Sequence, residues 1–487
     1  MAPSTIVWFR QDLRVADNPA LSTASRSPII ALFVAEETPP STIGGARRWW
    51  LHHSLMTIEK SLARQGVPLV LRRGNPEKIL AELISETGAS AVHWNRCHEP
   101  AAIMRDAAIK SMLEKQGIAV RSFNANLLFE PWEVKSAAGA PFKVFSHFWR
   151  ACLQRRDPHR PLPEPALRPH SGTLPSLAIQ DLELLPREPD WTSGLRAEWE
   201  PGEAGAARRL QAFLGQAIKT YADDRDYPAR PGTSLLSPHL THGEISPRTI
   251  WHAIRTREIA KRVHARHADK FLAELGWREF SHHVLFHTPT LAERALRAEF
   301  EHFPWQDDKE AFKAWCKGKT GYPIVDAGMR QLWQTGWMHN RVRMIAASFL
   351  TKDLLIDWRK GAAWFWDTLV DADLANNTAS WQWVAGCGAD AAPFFRIFNP
   401  VLQGTTFDPE GAYVRRFVPE LAGLPAQFIH QPWMAPQELL ARARIVLGET
   451  YPNPLIQHDA ARRRALAAFE SIKGLKAKAG PDASVPE

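Results

Sequence analysis

The chain has 487 residues, 45% of them hydrophobic and 23% charged, which is the composition of a globular protein of about three domains, or two large ones. A formal net charge of +8 favours a polyanionic partner. The four cysteines lack the spacing of a zinc site or a disulfide framework, so a reduced cytoplasmic setting without a metal centre is expected. No apolar run reaches the roughly 18 residues of a membrane-spanning helix, and no secretory signal is expected.

The first part of the chain alternates short β-branched segments with helical patterns. Between the third and fourth segments, Asn75 can cap a helix that starts at Pro76 and stops at Gly88. This alternation predicts an α/β domain with a mostly parallel sheet, but no GxGxxG turn follows the first strand, so classical dinucleotide binding is not expected there. The predicted strands are Thr5–Phe9, Pro28–Ala35, Pro68–Leu71, Ala91–Trp94 and Ala119–Phe123.

A Pro-rich stretch follows, in which apolar periodicity fades, and it is predicted to be an ordered or semi-ordered connector. Beyond it, helical patterns dominate and strand signals are nearly absent, which predicts an all-helical domain. The patterns cover Arg208–Tyr221, Pro247–Arg257, His264–His287, Lys309–Lys317, Val325–Trp333, Arg341–Leu350 and Trp364–Leu369. The predicted domains are residues 1–128 (α/β), 129–205 (connector), 206–476 (helical) and 477–487 (a frayed tail).

Several motifs occur in order along the chain: WFRQDLR from Trp8, GTSLLSP from Gly232, MHNRVRM from Met338 and DADLANNTASWQWVAGCGADAAPFFRIFNP from Asp371. Together they resemble the photolyase/cryptochrome family over nearly the whole chain, and they are most similar to class III photolyases acting on cyclobutane pyrimidine dimers (CPDs). The resemblance implies a Rossmann-like α/β antenna domain and an all-helical domain that binds FAD and DNA. The implied reaction is light-driven electron transfer from reduced FAD to a dimer flipped out of DNA.

The resemblance assigns a group of side chains to FAD. Arg343 and Asp371 would lie beside the isoalloxazine ring, and Asp373 would reach its polar edge. Asn377 would place a neutral amide against N5, which avoids repulsion of the anionic reduced flavin. The other FAD-binding residues implied are Tyr221, Thr233, Ser234, Leu235, Leu236, Ser237, Phe271 and Arg278. Without the family motifs, the threonine and serines would be read as a helix cap or a turn.

Three tryptophans match the family's electron relay from the flavin to the surface. Trp381 would lie nearest the flavin, Trp358 in the middle and Trp305 at the outside. The chain has 20 Trp and only 5 Tyr, and indole is the side chain most easily oxidised in such a relay. A lone Trp in a helical domain is ordinarily a packing residue. The sequence leaves open whether Trp364 and Trp366 form a branch.

The substrate implied by the resemblance is DNA carrying a CPD. Its binding residues would be Glu274, Trp277, Asn340, Arg341, Met344 and Trp383. Glu274 and Trp277 are three residues apart in a helical pattern, so both can point into one cavity. The two tryptophans would wall the dimer, while Glu274, protonated or hydrogen-bonded, would meet a thymine carbonyl as it gains charge. Arg341 would contact phosphates. From the residues alone, Glu274 would be a surface group and Met344 a core filler.

An antenna pigment is also implied. The loop WNRCHEP, which starts at Trp94, resembles the family's antenna loop, with Asn95, Arg96 and Glu99 as expected contacts. Read without the family, it is a polar loop after a strand. The class III resemblance implies 5,10-methenyltetrahydrofolate, with 8-hydroxy-5-deazaflavin or a second flavin as alternatives.

Three rival functions follow from the same sequence. A blue-light photoreceptor of the same fold would bind FAD without repairing DNA, but Asn377 and the short C-terminal extension favour repair. A (6-4) photolyase needs a histidine acid/base pair, and His339 alone does not supply one. An ordinary flavin oxidoreductase needs a nicotinamide site, for which the chain has no fingerprint. We expect a monomer.

Overall fold

The computed structural model describes residues 3–36, 43–391, 395–473 and 475. These residues fall into two compact units. The first comprises Met1–Pro289, Gln331–Met338 and Trp364–Asn377, and the second comprises Thr290–Arg330, His339–Ala363 and Thr378–Glu487. The domain boundaries predicted from the sequence stay predictions, and the predicted tail, 477–487, lies outside the described residues.

A five-stranded parallel sheet forms the N-terminal part of the first unit. Its strands are β1 (Thr5–Phe9), β2 (Ile29–Ala35), β3 (Leu69–Arg73), β4 (Ala91–Asn95) and β5 (Ala119–Phe123). Their order is β3-β2-β1-β4-β5, so the chain starts at the central strand and adds strands towards each edge. Every predicted strand is present with ends shifted by at most two residues, and the α/β fold class is confirmed.

Helices connect the strands and cover both faces of the sheet. They are α1 (Pro19–Ala24), α2 (Gly45–Ala63), α3 (Pro76–Thr87) and α4 (Pro100–Lys115). The predicted cap of α3 is confirmed, because Asn75 accepts the backbone N–H of Glu77 at 2.8 Å and Gly88 ends the helix with a φ of 64°. Alternate residues of β1, such as Phe9 and Trp8, enter apolar layers on opposite faces of the sheet. Burial on both faces is what a parallel sheet requires.

The predicted connector contains regular structure that the sequence did not indicate. It includes α5 (Phe145–Leu153), a 3₁₀ turn (Ile179–Leu182) and α6 (Ser193–Glu198). Ile179 and Leu182 are buried in the apolar layer that also holds Phe9. This turn is therefore packed against the α/β part of the first unit.

The regular elements described after α6 are helices and short helical turns in both units. The predicted helix Arg208–Tyr221 is wrong at its end, because α7 stops at Gly215 and a 3₁₀ turn, Ala217–Lys219, precedes the next helix. No helix within the described ranges is long and apolar enough to cross a membrane. The helices after α6 are α7 (Glu203–Gly215), α8 (Tyr221–Asp224), α9 (Ser237–Thr241), α10 (Pro247–Ile259), α11 (Ala265–His287), α12 (Lys309–Cys316), α13 (Pro323–Thr335), α14 (Asn340–Ser348), α15 (Trp358–Thr368), α16 (Leu374–Ala385), α17 (Pro400–Phe407), α18 (Ala412–Phe417), α19 (Ala426–Ile429), α20 (Gln437–Arg442) and α21 (His458–Ile472).

The second unit is held by a buried polar network as well as by its apolar core. Asp326 is fully buried, and its Oδ1 accepts the backbone N–H and the hydroxyl of Thr320, both at 2.7 Å. Its Oδ2 accepts the hydroxyl of Tyr451, also at 2.7 Å. Burial raises the pKa of Asp326, while these donors lower it. The network ties α13 to the segment before α21.

Candidate functional site

The loop before α9 and the first residue of that helix, Ser237, carry the hydroxyl residues predicted at the flavin. Leu235 has a φ of 53°, which is uncommon for a residue with a bulky side chain and marks a constrained turn. The hydroxyl of Ser237 donates to Asp371 Oδ2 at 2.6 Å and accepts from Trp337 Nε1 at 3.3 Å. Two predicted flavin residues far apart in sequence, Ser237 and Asp371, are thus joined in the first unit. Beside them, Thr233 and Ser234 are half-buried and Leu236 is buried.

Tyr221 and Phe271, two further predicted flavin residues, lie against each other. Their ring centroids are 5.1 Å apart in an edge-to-face arrangement, and Phe213 completes a buried aromatic cluster. Arg278, also predicted at the flavin, donates through Nη1 to the backbone carbonyl of Asn126 at 2.7 Å. The structure therefore gives these three residues clear packing or bonding partners within the protein, and their contact with FAD stays a prediction.

Asp373, at the start of α16, is held by a group that the sequence did not predict. Its Oδ1 accepts the backbone and side-chain N–H groups of Asn376, at 2.8 and 2.7 Å. Its Oδ2 lies 3.5 Å from Nε2 of His282, which is buried in α11. Burial opposes the charge of Asp373, but His282, Arg278 and Asn376 outweigh it and hold the pKa of this carboxyl below its usual range. Asn377 follows one helical turn later and is half-buried.

Glu279, which follows Arg278 on α11, carries a buried carboxyl group. Its Oε2 accepts the backbone N–H groups of Leu128 at 2.8 Å and Phe129 at 3.2 Å, and it is 3% exposed. Burial raises the pKa of Glu279 to about 7, although Arg278 and the two N–H groups act in the opposite direction. The carboxyl therefore takes up a proton on folding at mildly acidic pH.

This pKa predicts a pH-dependent effect of Glu279→Gln. An unfolded glutamate ionises near pH 4.3, so between about pH 4.3 and 7 the folded state binds more protons and stability falls as pH rises. Glutamine resembles the protonated acid but does not ionise, so it removes this fall of the free energy of unfolding with rising pH. The free energy of unfolding of the variant, relative to the parent, should therefore increase by about 3 kcal/mol from pH 4.5 to 7.5. Urea unfolding of both proteins across this range measures the difference, and parallel pH profiles would show that Glu279 ionises normally.

Glu274 forms an ion pair in place of an open, solvated carboxyl. Arg225, in the segment after α8, donates through Nη1 to Oε1 of Glu274, and Lys270 Nζ lies 4.0 Å from the same oxygen. The side chain of Arg225 is 10% exposed and that of Glu274 is 28% exposed. Both described contacts use Oε1.

Trp277, one turn further along α11, is stacked on Phe145 of α5. The two ring centroids are 3.8 Å apart and the planes differ by 10°. Trp277 also meets Phe280 edge to face at 5.9 Å. Both Trp277 and Phe145 are half-buried. Glu274 and Trp277 therefore lie on the same stretch of α11, as predicted, and each has an immediate partner from another segment.

The three relay tryptophans lie in the second unit. Trp358 and Trp381 are buried, whereas Trp305 is half-buried and packs on Phe303 at 4.3 Å between centroids. The indole of Trp381 also lies edge-on to Trp315, with centroids 6.1 Å apart. Of the three, Trp305, the proposed outermost member, is the one that is partly exposed, while the order of the other two and the function of the relay stay predictions.

The remaining lesion-contact candidates also lie in the second unit. Asn340 is exposed at the first residue of α14, and its Nδ2 is 4.0 Å from Met344 Sδ. The guanidinium of Arg341 lies over the ring of Phe407 at 4.3 Å. Trp383 is half-buried and donates through Nε1 to the carbonyl of Asp390 at 3.2 Å. Arg343, predicted at the flavin, is half-buried on α14.

The predicted antenna residues are bound within the first unit. Asn95 is 1% exposed, and its Nδ2 donates to Asp12 Oδ2 at 2.6 Å and to Asn18 Oδ1 at 2.7 Å. Arg96 donates through Nε to Glu130 at 2.9 Å. Glu99 accepts from Gln11 Nε2 at 3.2 Å. These contacts organise the end of β4, and contact with a pigment stays a prediction.

Sequence reasoning missed four side chains that contact the candidate site residues: Arg225, Phe145, His282 and Trp315. Three of them are partners from distant parts of the sequence, for which spacing gives no signal. His282 had one available signal, because it lies four residues after Arg278 and therefore on the same side of α11.

Comparisons with known proteins agree with this arrangement. Residues 5–166 match the DNA photolyase domain, and residues 271–471 match the FAD binding domain of DNA photolyase. A deoxyribodipyrimidine photo-lyase of Agrobacterium fabrum is 51% identical over 475 residues, covering 96% of this chain and 98% of the relative. Cryptochrome-1 of Arabidopsis thaliana is 42% identical, covering 97% of this chain and 71% of the relative. The crystal structure of a bacterial class III photolyase from Agrobacterium tumefaciens is 50% identical, covers 98% of both chains and superposes with a TM-score of 0.95. The chain therefore belongs to the photolyase/cryptochrome family and carries its FAD-binding domain.

Proposed function

We propose that this protein is a deoxyribodipyrimidine photo-lyase, which uses light to split CPDs in DNA. The observation that carries the proposal is the 51% identity, over 96% of the chain, to a relative of that name. Glu274 and Trp277 support it, because an acid beside an aromatic surface suits a flipped-out dimer that needs both a hydrogen bond and stacking.

FAD, when bound, reduced and excited by light, would supply the electron that splits the dimer and would take it back after the split. The side chains of this protein fit that group. Nδ1 of the buried His282 lacks a hydrogen-bond partner within the described residues, so the polar edge of a ligand can satisfy it. The residues that would hold FAD are Tyr221, Thr233, Ser234, Leu235, Leu236, Ser237, Phe271, Arg278, Arg343, Asp371, Asp373 and Asn377.

The protein's own contribution is to bind and orient the lesion. Trp277 offers a flat apolar surface to a pyrimidine, and Trp383 stays a predicted contact of the lesion. Glu274, when protonated, can donate a hydrogen bond from Oε2 to a thymine carbonyl, while Arg225 fixes the carboxyl through Oε1. Arg341 meets a backbone phosphate and gives affinity that does not depend on sequence.

A blue-light photoreceptor is the second candidate, favoured by the 42% identity to Arabidopsis cryptochrome-1. Oligonucleotides carrying one CPD, one (6-4) photoproduct or no lesion distinguish the possibilities. A CPD photolyase binds the first more tightly in the dark and restores only that lesion under light. A photoreceptor changes its flavin spectrum under light and restores neither lesion. Repair of the (6-4) photoproduct would identify the protein as a (6-4) photolyase.

We propose methenyltetrahydrofolate as the antenna pigment, with 8-hydroxy-5-deazaflavin as the alternative. Gently purified protein should then show a near-ultraviolet absorption band beyond that of FAD. Extraction and mass spectrometry identify the pigment. A deazaflavin, or FAD alone in repeated native preparations, would contradict the folate assignment and leave the repair function standing.

A further inference from the structure

We propose that Phe145 is a positioning residue that fixes the indole of Trp277 and confines the lesion to the opposite face of that ring. The inference rests on the proposed function, in which Trp277 stacks on the dimer. Phe145 belongs to α5, inside the segment that the sequence indicated only as a connector.

The geometry of the pair supports this role. The rings of Phe145 and Trp277 are nearly parallel, 10° apart, with centroids separated by 3.8 Å. For a base to fit between the two rings, their planes would have to be roughly 7 Å apart, which is twice the roughly 3.4 Å rise of stacked bases. A pyrimidine can therefore stack on Trp277 only on the face turned away from Phe145, unless α5 moves.

Phe145 is itself held in place by other rings. Trp149, one turn later on α5, is parallel to it within 11° at 6.4 Å, and Phe280 of α11 meets it edge to face at 6.0 Å. The two helices approach closely, because a Cβ on Gly276 would lie 2.5 Å from Cε3 of Trp149. Phe145 is thus nearly parallel to both Trp149 and Trp277, and it is in stacking contact with Trp277, on tightly packed helices.

A fixed indole lowers the entropy lost when the lesion binds. Without Phe145, Trp277 would keep only its edge contact with Phe280 and would populate several rotamers, and binding would have to select one of them. With Phe145 in contact, Trp277 already has the orientation in which it can stack. Phe145→Ala should therefore weaken binding of CPD-containing DNA roughly three- to tenfold, while repair per absorbed photon on saturated enzyme stays unchanged.

The experiment measures dark binding of the FAD-loaded protein to an oligonucleotide with one CPD, and to the undamaged strand. The variants are Phe145→Ala, Phe145→Leu, Phe145→Tyr, Trp277→Ala and the double variant Phe145→Ala/Trp277→Ala. We expect the tyrosine variant to bind like the parent, because it keeps the ring, and the leucine variant to weaken like the alanine variant. Affinity for undamaged DNA should be unchanged in all of them.

The double variant is decisive, because a residue that acts through Trp277 adds nothing once Trp277 is gone. We expect it to bind the lesion as Trp277→Ala does. Phe148→Leu, on the same helix but packed on Phe280 and His283, controls for general loosening of α5. Additive losses, parental affinity of Phe145→Ala or an equal loss in Phe148→Leu would overturn the role of Phe145 and leave the proposed function intact. Parental affinity of Trp277→Ala would instead overturn the lesion site itself, and the proposal with it.

Discussion

Replacing Trp381 with phenylalanine should slow the photoreduction of FAD in this protein at least tenfold. Phenylalanine keeps an aromatic ring of similar shape but is much harder to oxidise, so the first step of the relay would fail. The indole is buried and closely packed, since a Cβ on Gly361 would lie 2.2 Å from its Cη2. The smaller ring therefore fits without overpacking.

The same Trp381→Phe variant should repair lesions at the parental rate when its flavin is reduced beforehand, because the relay refills the flavin and does not pass the electron to the dimer. Flavin absorbance under illumination with an external reductant measures photoreduction, and a pre-reduced sample measures repair. Trp315→Phe is the matched control, because Trp315 is equally buried and contacts Trp381 but lies outside the proposed relay. Photoreduction of Trp381→Phe at the parental rate would show that the relay is wrong or bypassed.

Replacing Glu274 with alanine should lower the number of dimers repaired per absorbed photon roughly tenfold. Negative charge develops on a thymine carbonyl after electron arrival, and a hydrogen-bond donor there favours ring splitting over electron return. Affinity for the lesion should fall less, because phosphate contacts and the stacking tryptophans remain.

Two further variants separate the possible roles of the Glu274–Arg225 pair. Glu274→Gln keeps a side-chain N–H donor and should retain at least a third of the parental yield if donation to the carbonyl is what matters. If the carboxylate matters only as the partner of Arg225, the glutamine variant should fail as the alanine variant does. Trp277→Ala should do the opposite of Glu274→Ala, weakening binding by about 1–3 kcal/mol with little change in yield at saturation. An undiminished yield of Glu274→Ala on saturated enzyme would remove Glu274 from the mechanism.

The sequence predicted correctly those elements that depend on neighbouring residues in the chain. The five strands and the cap at Asn75 follow from short runs of β-branched residues and from single capping positions. Helix α5 was missed because its buried side, Phe148, Trp149 and Cys152, is short and lies in a stretch rich in arginine and proline. Without a longer apolar repeat, the helical period could not be recognised.

In the candidate site, too, the sequence does not predict partners that lie far away along the chain. Motifs predicted which residues to examine, and the pairing of Ser237 with Asp371 brings two of them together. The partners that set their chemistry come from distant sequence positions, as His282 does for Asp373. Spacing along one helix predicts which side chains share a face, but it cannot predict what another segment places against that face.

Light-dependent loss of a single CPD from an oligonucleotide tests the central claim most directly. The FAD-loaded, pre-reduced protein is mixed with the substrate and divided between darkness and calibrated blue light, with free FAD and Glu274→Ala as controls. We predict that the dimer disappears only under light and only with the protein, that each protein molecule repairs many dimers, and that Glu274→Ala repairs roughly tenfold fewer per photon. A dimer content that stays equal in light and darkness, while the flavin is reduced and the DNA is bound, would contradict the assignment as a photolyase.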